Sequence, residues 1–238
     1  MSSSEVPPRS PPTDRVYRGP LPERTNATHL SILADRAGRL NVLDWGCGTA
    51  AYRVPVRDVL GHHYVGVDVD GADVDVRADV HRLPFRSATF DHVITNAVLE
   101  HVADPVAAVC EVERVLRPGG AFSGSVAFLE PHHQRSHFHL TADGVTHLFA
   151  VARLKLEALW PQGDWLVYES LATMPGPISG PTRWMLRRLG AFERVVGAWR
   201  LHPREMANRR WLRRKSPAER RAELMTITGQ VHFLATKG

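Results

Sequence analysis

Two carboxylates flanking a glycine turn form the first constellation in the chain able to do chemistry. In Val42-Leu43-Asp44-Trp45-Gly46-Cys47-Gly48-Thr49-Ala50 an apolar run ends on an acid and passes through Gly46 and Gly48. Such a run turns a strand sharply into a helix, and its glycines lack the Cβ atoms that would hold a ligand off the backbone. Asp44 stands where a carboxylate can attract the ammonium end of an amino-acid-like cofactor. Asp68 closes the next apolar run, about twenty residues after the glycines, the position from which an acid accepts hydrogen bonds from ribose hydroxyls. Gly46, Gly48 and Ala51 also meet the loose dinucleotide fingerprint, so these features alone leave a nicotinamide-dependent oxidoreductase open.

Histidines supply the second set of candidates. Leu99-Glu100-His101 offers His101 as a base for a hydroxyl or amine acceptor, beside the simpler reading of a pocket-lining triplet. The densest cluster is His132-His133-Gln134-Arg135-Ser136-His137-Phe138-His139. Neutral imidazoles can bind zinc, and alternation along an extended segment puts His137 and His139 on one face. No cysteine or carboxylate arrangement follows, so the segment is read as a substrate-facing loop and no metal is expected. Cys47 and Cys110 are the only cysteines, which excludes a disulfide framework and predicts two reduced thiols, neither a nucleophile.

Positioning these groups requires an alternation of strands and helices. Ala27 to Arg39 permits a helix ending at Gly38, and Asn41 to Trp45 reads as the first strand. A helix over Ala50 to Leu60 and strands over Tyr64–Asp68, Val74–Ala78 and Phe90–Thr95 follow. Pro105 to Leu116 is a helix, with Asp104 as its cap and proline in its first turn. Strands over Ala121–Phe128, Leu154–Trp160 and Val231–Thr236 complete the set, with a helix over Thr141–Ala150 between the first two of these. The pattern predicts a parallel sheet covered on both faces.

Two regions stand outside that alternation. Residues 1–25 are polar and rich in proline, and read as a flexible arm whose Tyr17 is able to reach the pocket. Residues 164–228 form a long connection with helical patterns around Trp184–Trp199 and Pro203–Met225, read as a helical insertion or lid within a domain spanning 26–238. Arginines crowd this connection, among them Arg187, Arg188, Arg209, Arg210, Arg213, Arg214, Arg220 and Arg221. With Trp184, Trp199 and Trp211 they could serve RNA through phosphate pairing and base stacking. The favoured reading is a helical lid with solvated arginines and tryptophans packed into its apolar face, because no RNA-binding module accompanies the stripe.

A chain of 238 residues suits one α/β domain with an appendage. The formal charge of +5 favours anionic partners only weakly, since three lysines leave the excess to arginine. No apolar run is long enough to span a bilayer and no secretory leader is visible, which predicts a cytoplasmic protein without a membrane partner. Oligomeric state is not readable.

Several motifs in one order resemble the class I S-adenosylmethionine-dependent methyltransferases, in particular the group called methyltransferase type 11. They are Val42 to Ala50, Val65 to Asp68, Ala78-Asp79-Val80-His81-Arg82-Leu83-Pro84-Phe85, Phe90 to Pro105, and Leu116-Arg117-Pro118-Gly119-Gly120. The resemblance covers roughly Leu40 to Val151 and implies a Rossmann-like, seven-stranded, mostly parallel sheet with helices on both faces. It implies that Asp44, Gly46 and Gly48 face the methionine part of S-adenosyl-L-methionine, that Asp68 holds the ribose, and that Asp79 and Val80 meet the adenine. Asn96 falls where backbone groups meet the methionine amine or the acceptor, and His137 to Thr141 matches a polar loop before a helix. Two departures stand out: Ala50 occupies the place of a frequent third glycine, and the late helical excursion replaces a tighter hairpin. The implied activity is methyl transfer to an oxygen, nitrogen or carbon of a small molecule. An RNA methyltransferase and a non-catalytic cofactor-binding protein stay as alternatives.

Overall fold

The computed structural model describes residues 25–131, 133, 135–162, 166–173, 178–196, 199–201, 212–214 and 217–238. The expected arm lies almost wholly outside them, as does much of the Pro203–Met225 pattern. Seven strands build one sheet: β1 Asn41–Trp45, β2 His63–Asp68, β3 Val76–Arg77, β4 Phe90–Asn96, β5 Leu116–Ala127, β6 Leu154–Pro161 and, last in the chain, β9 Gln230–Lys237. Their order is β3-β2-β1-β4-β5-β9-β6. All neighbours among the first five pair in parallel, while β9 runs antiparallel between β5 and β6. The central strands read as near-continuous apolar runs because both faces are covered.

One face packs against α2 (Pro105–Val115) and α3 (Ala142–Val151). On α2 the buried residues Ala108, Val109, Val112 and Val115 recur at helical spacing and form one stripe. They join Leu43, Trp45, Val93, Phe122, Phe149 and Phe233 in the larger core. The opposite face buries Val42, Ile94 and Leu40 against Leu33 of α1 (Thr25–Ala34) and against Tyr52 and Val56. Alternate residues of β1 thus feed different cores, as strand geometry requires.

Three local expectations change. The segment after β1 is a turn followed by a π-helix over Val54–Val59, closed by Leu60 donating to the Pro55 carbonyl, rather than an α-helix from Ala50. Strand β5 begins at Leu116, not Ala121, and the Arg117-Pro118-Gly119-Gly120 run forms the irregular register between Phe90 and His92 opposite it. Gly119 supplies the positive φ of +74° there. The connection between β6 and β9 holds α4 (Val167–Thr173), α5 (Gly180–Val196) and α6 (Pro217–Ile227). It also holds an antiparallel pair that periodicity did not reveal, β7 (Trp199–Leu201) with β8 (Leu212–Arg214). Trp184 does not pack into an apolar face: it is 62% exposed on α5, with Arg188 over its ring, and Met185, Leu189 and Phe192 are exposed as well. Trp199 and Trp211 have no described side-chain environment. Among the described residues no helix is long and apolar enough to cross a membrane.

Candidate active site

The sheet order reverses between β1 and β4, where chain connections leave in opposite directions and open a crevice beyond the carboxyl ends of the strands. A cavity of about 620 Å3 lies there. Its walls include Asp44, Gly46, Gly48, Asp68, Asp79, Val80, Asn96 and His101, which are all the site residues the sequence suggested. Tyr52, His81 and His133 line it too.

The glycine turn is held by Gly46 and Cys47 amides donating to the Val67 carbonyl at 2.9 and 3.0 Å. Gly46 has φ +72° and its missing Cβ would run into the Val98 side chain, so glycine is required twice over. Gly48 has φ +51° and open space where a Cβ would stand, which is the room a ligand needs. Ala50 adopts φ +53°, a left-handed conformation that explains why glycine is usual at this place and why alanine is strained in it.

Asp44 is 2% exposed at the end of β1 and accepts a 2.6 Å hydrogen bond from the Tyr64 hydroxyl. Burial pushes its carboxyl up to about 7, against the lowering by Tyr64 and with further raising by Asp68. Burial also drives Tyr64 upward, helped by Asp44. Arg53 reaches over the Tyr64 ring at 5.5 Å and pairs with Asp75 at 3.0 Å, and Asp75 accepts from the Gly66 amide. Tyr64 and Arg53 escaped the sequence reading, since neither belongs to a motif and both arrive through folding. Cys47 has its thiol pushed up to about 12, by burial first and then by Asp44, Asp68 and Asp75, which keeps it inert.

Asp68 binds both ends of the crevice floor: Oδ2 accepts from the Gly48 amide at 2.9 Å and Oδ1 from Val69 at 2.7 Å. Asp79 is exposed and accepts from the amide and ring Nδ1 of His81, which hold its carboxyl below the usual range. His81 Nε2 accepts from the Asp104 amide at 3.2 Å, so the ring proton sits on Nδ1, toward Asp79. Val80 is buried. Asn96 ends β4 exposed, its Oδ1 accepting from Ser125 at 2.7 Å, and Ala97 beside it takes φ +54°.

At the other end of the cavity, a 3-10 turn over Leu99–His101 presents Glu100 and His101. The histidine-rich segment folds back onto it, with His137 and Phe138 amides donating to the Glu100 carbonyl at 2.6 and 3.2 Å. This brings His133 against His101, ring centroids 5.2 Å apart and nearly perpendicular. Burial and the neighbouring His133 hold the His101 imidazole below its ordinary value, so it is neutral at neutral pH. Glu100 is fully buried and its carboxyl is pushed up to about 7, by burial first, with its own amide lowering and Glu130 raising it. His137, expected beside His139 on one face, is exposed instead, and the pair the fold makes is His101 with His133.

This sheet order, with a pocket at the switch point, Asp44 one residue before the end of β1 and Asp68 ending β2, is that of the class I S-adenosylmethionine-dependent methyltransferase fold. Residues 43–123 match the family model described as "Methyltransferase domain". A Mycolicibacterium smegmatis protein named "Probable S-adenosylmethionine-dependent methyltransferase" is 33% identical over 147 residues, 52% of this chain and 56% of that one. The chain thus spans little more than half the length of that curated relative. Among solved structures, an S-adenosylmethionine-dependent methyltransferase from Mesorhizobium loti superposes with TM-score 0.53 at 16% identity, over 92% of this chain and 100% of that one. The geranyl diphosphate C-methyltransferase of Streptomyces coelicolor A3(2) gives TM-score 0.54 at 14% identity, over 90% and 79%. Both likenesses are likenesses of fold.

Proposed function

We propose that this chain binds S-adenosyl-L-methionine in the switch-point cavity and transfers its methyl group to an oxygen, nitrogen or carbon of a small molecule. The observation that carries the reading is the convergence of Asp44, Asp68, Asp79, Asn96 and His101 on one cavity. Asp44, Gly46 and Gly48 take the methionine end, Asp68 the ribose hydroxyls, and Asp79 with the Val80 amide the adenine edge. The cavity suits the cofactor, because its acidic end faces an ammonium and its glycine backbone admits close approach. Bound there, the cofactor supplies an electrophilic methyl on sulfonium. The protein's part is to align acceptor, methyl carbon and sulfur, which is chiefly a positioning effect. His101 stands at the acceptor end, its imidazole held below its ordinary value by burial and His133, where it serves as a base for the acceptor's proton.

A small acceptor is favoured over RNA because His101, Val102 and His133 line the same cavity as the proposed cofactor residues. The exposed Arg187 and Arg188 keep the RNA reading testable. A cytoplasmic setting suits the two free thiols. Calorimetric titration with S-adenosylmethionine and S-adenosylhomocysteine, with NAD as control, tests the site. Both should bind, NAD should not, and Asp68→Ala should weaken binding at least tenfold. A folded protein that ignores both compounds would sink the reading, and strongly salt-dependent RNA binding would move the acceptor class to RNA.

A further inference from the structure

We infer that Glu100, His101 and His133 form a divalent transition-metal site at the acceptor end of the cavity. The three side chains come from two separate segments, yet one ligand atom from each lies within 4.8 Å of the other two. The carboxylate that the histidine-rich segment lacks in sequence is supplied by the turn on which that segment folds.

Three observations point to a cation rather than to a chance cluster. First, Glu100 is 0% exposed and its carboxylate has no side-chain hydrogen-bond partner, meeting only the Glu100 and Ala127 backbone, so the buried acid is left without a counter-charge. Second, each imidazole is already committed through one side. His133 Nδ1 donates to the Pro131 carbonyl at 3.0 Å, with the Glu130 carboxylate 3.9 Å away, and His101 is hydrogen-bonded to the Arg135 backbone. A ring N–H held by a carbonyl leaves the other nitrogen bare, which is how ligating histidines are oriented. Third, His101 and His133 meet edge to face where both line the cavity, and one nitrogen of each lies within reach of the Glu100 carboxylate. Ligands on one zinc-type ion stand about 3.4 Å apart, given bonds of roughly 2.0–2.2 Å. Closing from 4.8 Å needs a shift of up to about 1.4 Å in the loop-borne His133.

Two imidazoles and one carboxylate select zinc, cobalt or iron over magnesium, and leave coordination positions open toward the cavity. The inference rests on the methyl-transfer reading for its chemistry, and it narrows the acceptor to a small molecule bearing a hydroxyl. The hydroxyl oxygen binds the metal, which lowers its pKa, and its proton leaves to solvent. The oxygen then forms a bond to the methyl carbon as the carbon–sulfur bond breaks. The electron pair stays on sulfur, giving a methyl ether and S-adenosylhomocysteine. His101 is then a ligand rather than a free base.

The untagged, chelator-treated full chain is titrated with Co2+, reading visible ligand-field absorption, and with Zn2+ in competition. One Co2+ per chain should bind and be displaced by Zn2+ but not by millimolar Mg2+. Glu100→Gln and His133→Ala should each weaken binding at least tenfold, whereas His147→Ala, on the exposed face of α3, should not. Absence of one-to-one binding, or binding unchanged in both Glu100→Gln and His133→Ala, overturns the site. S-adenosylhomocysteine binding to the same metal-free variants reports the cofactor pocket separately and also reports folding, so failure of the metal site and failure of the cofactor reading give different patterns. His133→Ala keeps the test open if Glu100→Gln does not fold.

Discussion

Asp44 concentrates the electrostatics of the glycine-turn end of the cavity in one side chain. Its carboxyl is pushed from an ordinary 3.8 up to about 7 in the folded chain, so folding favours the protonated form. Stability from this group is therefore full below about pH 4 and falls as pH rises through 7. Asp44→Asn keeps an acceptor for Tyr64 and removes the buried charge. In chemical denaturation of the ligand-free protein it should stabilise by a few kcal/mol (about 1.4 per pH unit) at pH 8 and by almost nothing at pH 4. The same variant should lose affinity for S-adenosylmethionine, because the ammonium then meets no carboxylate. Ala50 gives a second residue-scale expectation. Its φ of +53° is one that alanine adopts at a cost, so Ala50→Gly should stabilise the turn by about 1 kcal/mol, read from the denaturation midpoint at unchanged m-value. A neutral or destabilising result would show that helix-side packing against Ala50 outweighs the strain.

At the scale of elements, α2 does more than cover the sheet. Asp104 caps it by accepting from the Ala107 amide at 3.0 Å, and its own amide fixes the His81 ring that orients Asp79. Further along, Glu111 accepts from the Leu83 amide, while Arg114 donates to the Phe85 and Leu83 carbonyls at 2.8 and 3.0 Å. The helix thus clamps the irregular segment that carries Asp79 and Val80, whose backbone has no ladder to satisfy it. Arg114→Ala should cost about 2 kcal/mol in urea unfolding, since two carbonyls and Glu111 lose charged partners that are only partly exposed. It should also weaken S-adenosylhomocysteine binding several-fold. Unchanged affinity with lowered stability would show that the segment holds its shape without the clamp.

For the whole molecule, cooperativity runs through the last strand. β9 lies between β5 and β6, and its Phe233 meets Phe122 at 4.9 Å and Phe149 at 4.8 Å, both edge to face. Residues near the carboxyl end therefore complete the core on which β4 and β5, and so the cavity walls, rest. Phe233→Ala should destabilise by about 3–5 kcal/mol, the range for a fully buried aromatic. Fluorescence of the buried Trp45, Trp160 and their neighbours should report a single unfolding transition. A two-step transition would mean that the β5–β9–β6 half folds apart from the cofactor half.

The glycine-turn end of the cavity was legible in the sequence because it is local. Asp44, Gly46 and Gly48 lie within five residues, Asp68 follows one strand later, and strand alternation with glycine conformations leaves them few arrangements. The helix after the turn was less legible, since Pro55 and a left-handed Ala50 shift its hydrogen bonding without altering the apolar pattern. The β7–β8 pair was missed because three-residue strands carry too little periodicity to register. Sequence by itself determined the parallel half of the sheet, the covering helices and the glycine-turn wall of the cavity, all set by periodicity and short-range turn chemistry. Only the tertiary structure decided the acceptor end. There a segment returning some thirty residues later sets His133 against His101 and Glu100, a juxtaposition made by long-range packing and backbone hydrogen bonds that no local pattern encodes.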